Sequence, residues 1–145
     1  MQRVLAIWIV LVAACGGSSS SKFPNFQGAA WNATVTDTAS CSAPIGTQSA
    51  SRTYSITFVP GTGADLQFTS AEGCGFRFNV SGNTATLANG PVSCPVTVQG
   101  ITGIVAWNTF TATTSDGHNL TINAAGNASN STITCSFTET GGATR

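Results

Sequence analysis

From Ala30 onward, apolar and polar residues alternate with a period of two, the pattern of strands buried on one face only. Trp31, Ala33 and Val35 alternate with Asn32, Thr34 and Thr36, and Tyr54, Ile56 and Phe58 alternate with Ser55 and Thr57 before Pro60-Gly61 ends the run. Leu66 and Phe68 flank Gln67. Phe76, Phe78 and Val80 alternate with Arg77 and Asn79, and Ser81-Gly82-Asn83 then turns the chain into Thr84–Leu87. Val92, Cys94, Val96 and Val98 form the next run, with Gly100 and Gly103 as breaks after it. Val105 to Thr114 is the longest strand candidate, and Asp116-Gly117 after it is the strongest hairpin signal, because both residues tolerate positive φ. Leu120, Ile122 and Ala124 follow on one face, then Ile133, Cys135 and Phe137.

No window after residue 22 carries the i, i+3, i+4, i+7 apolar spacing of a helix. Short strands separated by Gly, Asn and Asp predict an all-β domain. About eight antiparallel strands with short connections suit a small up-and-down barrel, with a two-sheet β-sandwich as the alternative.

The first residues have a different pattern. Arg3 is followed by an apolar run from Val4 to Ala14, then Cys15, two glycines and four serines. As a helix this 11-residue run would reach about 16 Å, against roughly 30 Å of hydrocarbon, so it is a secretory signal rather than a membrane span. Val12-Ala13-Ala14-Cys15 resembles the lipobox of bacterial lipoproteins, an aliphatic residue and two small ones before a cysteine. The resemblance covers residues 1–21. It implies that the signal is cut before Cys15, that its thiol carries diacylglycerol, and that the new amino terminus is acylated. Gly16 is not the Asp that in many such proteins directs retention in the inner membrane, so the resemblance points to the outer membrane. The expected organisation is a signal peptide over 1–14, lipidated Cys15 with a flexible tether over 15–28, and a single β domain over 29–145.

Composition narrows the partners. Charged residues make up 7% of the chain and formal net charge is zero, so no basic surface speaks for nucleic acid and no polybasic patch for a charged membrane surface. The membrane is reached through the lipid. Cys41, Cys74, Cys94 and Cys135 remain after Cys15, an even number in an exported chain, which implies disulfides. Their wide spacing lacks the close pairs of a zinc site. Of three possible connectivities, Cys74–Cys94 is favoured because the two flank a hairpin near Gly82. Cys41–Cys135 is favoured because the first and last strands of a closed meander meet.

Candidate chemistry is sparse. His118 is the only histidine; it sits beside a turn, with Asp116 as its one acidic neighbour in sequence. Asp37, Asp65, Glu72, Asp116 and Glu139 are scattered, and nothing in the sequence pairs them as hydrolytic acid and base. No nucleophile elbow, phosphate loop or dinucleotide loop is present. Neither a cofactor nor a metal is expected. The expectation is therefore a non-catalytic, lipid-anchored envelope protein with a structural or interaction role, its partner an envelope or extracellular protein. Two other readings stand beside it: a small-ligand barrel with Trp31, Phe76 and Trp107 lining a cavity, and an inhibitor of a secreted hydrolase acting through the Asp116–His118 turn. The Thr, Ser and Asn on the polar strand faces serve β-propensity, or offer hydrogen bonds to a carbohydrate or protein.

Overall fold

A computed structural model describes residues 22–98 and 101–145; the apolar leader and Cys15 lie outside these. Among the described residues ten strands follow one another: β1 (Trp31–Cys41), β2 (Gly46–Ile56), β3 (Val59–Pro60), β4 (Leu66–Thr69), β5 (Gly75–Ser81), β6 (Thr84–Leu87), β7 (Val92–Val98), β8 (Ile101–Thr113), β9 (Asn119–Ser129) and β10 (Thr134–Thr144). All are joined in one antiparallel sheet of order β2-β1-β10-β9-β8-β6-β5-β4-β3, with β7 pairing β8 beside β6. The all-β, up-and-down expectation holds, with ten strands instead of about eight.

The differences have local causes. The first part of β2, Gly46 to Thr53, carries no apolar alternation because it is an edge strand exposed on both faces. The second half of β10 is apolar-poor for another reason. A Cβ at Gly141 would stand 2.3 Å from the Thr34 carbonyl oxygen of β1, so close backbone approach replaces side-chain packing there. Gly103, expected as a break, lies inside β8 opposite Val96.

Among the described residues the sheet is not closed by hydrogen bonds into a complete barrel ladder. Its two edges are nevertheless covalent neighbours: β2 ends at Ile56 and β3 starts at Val59, three Cα steps or about 11 Å at most. The sheet must therefore coil to bring its edges together. A single parallel bridge, Gln27 to Phe58, lies at this seam.

Inside the coil, phenylalanines interlock. Phe58 meets Phe26, Phe68 and Phe78 edge-to-face at 5.6–5.8 Å. Phe68 stacks on Phe76 at 4.7 Å, and Phe110 closes on Phe78 at 5.5 Å. Burying each such ring contributes about 2–3 kcal/mol. Phe68, Phe76, Phe78 and Phe110 come from the period-two positions of β4, β5 and β8, whose alternate residues share a face, while Phe26 precedes β1 and Phe58 joins β2 to β3.

The chain leading into β1 corrects the expected boundary. The tether expected over 15–28 is packed from Phe23 on: Phe26 is 1% exposed, and Trp31 Nε1 donates to its carbonyl at 2.8 Å. Arg145, the last residue of the sequence, holds this segment. Its Nε donates to the Gly117 carbonyl and its Nη1 to that of Gln27, each at 2.6 Å. Its Nη2 donates to Pro24 and Asn25 carbonyls at 3.0 and 3.2 Å. The guanidinium also lies 4.4 Å over the Trp31 ring.

Both disulfides have the favoured pairing, Cys41–Cys135 and Cys74–Cys94. Cys41 and Cys135 are cross-strand partners at one end of the β1–β10 ladder. The second bond differs in setting from expectation. The hairpin at Gly82 pairs β5 with β6, whereas Cys94 lies beyond it on β7, so this disulfide ties β7 to the turn before β5. Cys74 and Cys94 are buried, Cys41 and Cys135 half-buried.

The bonds span 94 and 20 positions, and longer loops gain more from closure. Replacing Cys41 and Cys135 by serine should cost about 4–5 kcal/mol, and replacing Cys74 and Cys94 about 3 kcal/mol. Urea unfolding of the two double variants should show that order.

Candidate functional site

On the inner face of β1, β2 and β10 the sheet brings together four polar side chains that the sequence leaves far apart. Strand pairing places Asp37 directly opposite Glu139, and Val35 opposite Arg52. Asp37, Glu139, Arg52 and Tyr54 thus share one face, since side chains two apart on a strand and directly across a ladder point the same way. Arg52 forms the centre. Its Nε donates to Asp37 Oδ2 and its Nη2 to Glu139 Oε2, while its guanidinium lies 4.8 Å over the Tyr54 ring. The Tyr54 hydroxyl donates to Glu139 Oε1 at 2.5 Å.

Glu139 is fully buried, at 0% exposure, which is rare for a carboxylate unless it is paired and hydrogen-bonded. Both its oxygens have donors. Burial pushes its carboxyl above the usual 4.5, and the Tyr54 hydrogen bond and Arg52 charge act against that rise. Burial, followed by the Glu139 charge, pushes the Tyr54 hydroxyl far above its ordinary 10.0. Asp37 Oδ1 is buried without a hydrogen-bond partner. A proton-transfer group needs a pKa near the working pH and access to substrate. Tyr54 has moved away from that range, and Glu139 is sealed from solvent. The arrangement works as a polar clamp between three strands.

Next to the clamp, the same face continues past Ala39 and Phe137 into a groove of about 500 Å³. Ala39, Ile45, Val96, Ile104, Val105 and Ile133 are among the residues lining it. Ile45 and Ile104 are 38% and 54% exposed, two of the three large exposed hydrophobics among the described residues. The groove lies at the Cys41–Cys135 end. On β1, Ala39 at the groove is eight positions from Trp31 and the incoming chain, about 26 Å.

The other candidates from the sequence fall elsewhere. Trp31 stands apart from Phe76 and Trp107, which are in ring contact with each other. Trp31 is buried under Arg145 and bonded to Phe26, while Phe76 is buried between Phe68 and Trp107, the latter 5.3 Å away edge-to-face. The Asp116–His118 turn is a formed structure: Asp116 Oδ1 accepts from the backbone N–H groups of His118 and Asn119, each at 2.8 Å. Its Oδ2 accepts from Asn119 Nδ2 at 2.7 Å. These bonds, that from the Asn119 side chain foremost, hold the Asp116 carboxyl far below its usual range. The turn sits at the end where the chain enters, and its Gly117 carbonyl receives Arg145. Sequence reasoning misses the polar clamp because its members come from positions 37, 52, 54 and 139. One signal is present: Glu139 continues the inward phase of Cys135 and Phe137, which puts a charge where an apolar residue belongs.

In comparisons with known proteins the chain matches no family model, no curated protein and no solved structure.

Removing Arg52 leaves a buried carboxylate short of its counter-charge. Fully buried pairs broken this way lose about 3–5 kcal/mol; with the Arg52 side chain 44% exposed, Arg52→Ala should cost about 2–3 kcal/mol. Denaturant midpoints of the two proteins measure this. The folded state also holds the Glu139 proton more tightly than the unfolded chain. Its contribution is therefore complete below 4.5 and is lost as pH rises through the raised value. Stability curves of the parent protein and Glu139→Gln, compared from about pH 4 to about pH 8, should diverge in shape, with that fall missing in the variant.

Proposed function

We propose that this protein is exported and lipid-anchored through Cys15, and that its β domain is a non-catalytic interaction module of the bacterial cell envelope, with the outer membrane as its site. The observation that carries the reading is the separation of two ends. The packed domain begins at Phe23, eight positions after Cys15, and the apolar groove with Ile45 and Ile104 lies at the far end of β1. A Gly/Ser segment of that length spans about 15 Å, so the domain would be held near the bilayer without the tether crossing the groove. A lipid anchor of two or more acyl chains holds stably, where one holds only marginally.

Other features fit. Two disulfides suit an oxidising compartment. The polar residues that converge are bonded to one another in the clamp, and an exposed apolar surface rimmed by polar residues is typical of partner binding. The hydrolase-inhibitor reading loses support because its one candidate loop faces the end where the chain enters. A ligand barrel lined by Trp31, Phe76 and Trp107 loses support because their rings are packed against other side chains.

The test is the mass of the N-terminal peptide of protein made in a host that processes lipoproteins. The expected peptide starts at Cys15 and carries diacylglycerol and an acyl chain, and Cys15→Ser should move the protein from the membrane to the soluble fraction. An unmodified terminus, with the protein soluble, would sink the anchor reading.

A further inference from the structure

The two edges of the sheet are unlike. β3 is two residues long and includes Pro60, which has no N–H to donate, and the seam beside it is covered by Gln27. Short length, proline and cover are the devices by which natural sheets protect an edge. β2 has none of these. It runs 11 residues without proline, and its register on β1 is unbroken from Trp31↔Ile56 to Cys41↔Gly46, so no bulge twists it away. Gly46 to Thr53 are exposed. The strand's single charge, Arg52, is already tied to Asp37 and Glu139.

The residues on this edge also have a symmetry. Reading outward from Ala50, Ser49 and Ser51 flank it, then Gln48 and Arg52, then Thr47 and Thr53. The hydroxyl residues are a palindrome. Ser and Thr on the outer face of β2 already pair across a ladder with β1: Ser51 with Thr36 at 3.3 Å, Ser49 with Thr38 at 3.0 Å and Thr47 with Ser40 at 3.3 Å.

We propose that β2 is a dimerisation edge at which two copies of this chain pair antiparallel through Thr47–Thr53, about a two-fold axis at Ala50, into one continuous sheet. In this register Ser49 faces Ser51 of the second copy, Thr47 faces Thr53, and the small Ala50 faces itself on the axis. The outer face then repeats the hydroxyl pairing seen between β1 and β2. Each Arg52 faces Gln48. The two arginines stand four positions apart, about 13 Å, beyond the roughly 8 Å screening length. The free backbone donors and acceptors of each edge are satisfied by the other.

The occupant follows from the contrast between edges. A head-to-tail contact would need the protected β3 edge to accept an 11-residue strand, so open filaments are blocked. A self-complementary edge gives a closed two-fold pair. The pairing does not depend on the lipid anchor, although confinement to a membrane would raise its effective concentration. The incoming chains leave the paired strands at opposite ends, each about 20 Å from the axis, so both reach one membrane when the strands lie along it.

Sedimentation of the mature protein over a concentration series reads the mass, and single-cysteine variants read the register. The expected species has twice the protomer mass. Ala50→Cys should cross-link to a covalent dimer under mild oxidation. Thr53→Cys, whose copies would stand about 20 Å apart, should not. The pair S49K with S51K sets lysines opposite one another and should abolish the dimer, whereas S49K with S51E sets Lys opposite Glu and should restore it. Because both pairs alter the same two positions, recovery in the second shows that loss in the first was not misfolding. A protomer mass throughout the series, equal cross-linking of the two cysteine variants, or no recovery with S49K and S51E would each overturn the proposal. Binding of a foreign extended peptide by a protein that stays monomeric would overturn it as well.

Discussion

Pairing of the first long strand with the last is the constraint on which the rest of this structure depends. β1 and β10 run antiparallel from Asn32↔Thr144 to Cys41↔Cys135, although over ninety positions separate them in the chain. Such non-local closure is entropically costly, and the molecule secures both ends of it. At one end the Cys41–Cys135 disulfide limits how far the strands separate when unfolded. At the other, Arg145 gathers carbonyl oxygens from the lead-in and the Gly117 turn while covering Trp31. With β10 fixed against β1, the β2 edge and the meander β8–β9–β10 acquire their positions, and the remaining strands complete the coil.

Two kinds of interior result. Under β4, β5 and β8 the core is a set of phenylalanine rings in edge-to-face and stacked contact, stabilised by apolar burial. Under β1, β2 and β10 the apolar row of Trp31, Ala33 and Val35 gives way to a polar cluster, with Glu139 sealed beneath Arg52 and Tyr54. A buried ion pair rarely adds stability over an apolar replacement, but breaking one partner away is costly. The clamp therefore acts chiefly on register. A slip of one residue between β1 and β10 would turn Glu139 to the opposite face and remove it from Arg52, so the wrong pairing is penalised by an unpaired charge.

The asymmetry of the edges follows from the same geometry. The chain crosses from β2 to β3 within two residues, so the edges meet there, and β3 is too short to use the rest of β2. What is left of β2 is a hydroxyl-rich ladder whose one charge is already paired within the clamp. The apolar groove belongs to the same end of the molecule, where Ala39 and Val105 of the inner face meet Ile45 of the β1–β2 turn and Ile104 at the rim.

Period-two patterning carried the all-β class, most strand positions and the buried phenylalanines, because each depends only on which face a residue takes along its own strand. Turn chemistry at Gly82 and Asp116-Gly117 was legible for the same local reason. Cysteine parity carried the disulfides, and the pairing followed once first and last strands were taken to meet. β2 was only half legible: an edge strand exposed on both faces has no alternation to display. The lead-in reads as tether in the sequence because Phe23 and Phe26 are isolated there, and only Trp31, Phe58 and Arg145 give them a place to pack. The Asp37–Arg52–Tyr54–Glu139 clamp, the groove and the contrast between β2 and β3 were decided by tertiary structure alone. Each is a relation between strands distant in sequence, and local periodicity says which way a side chain points but not which strand stands beside it.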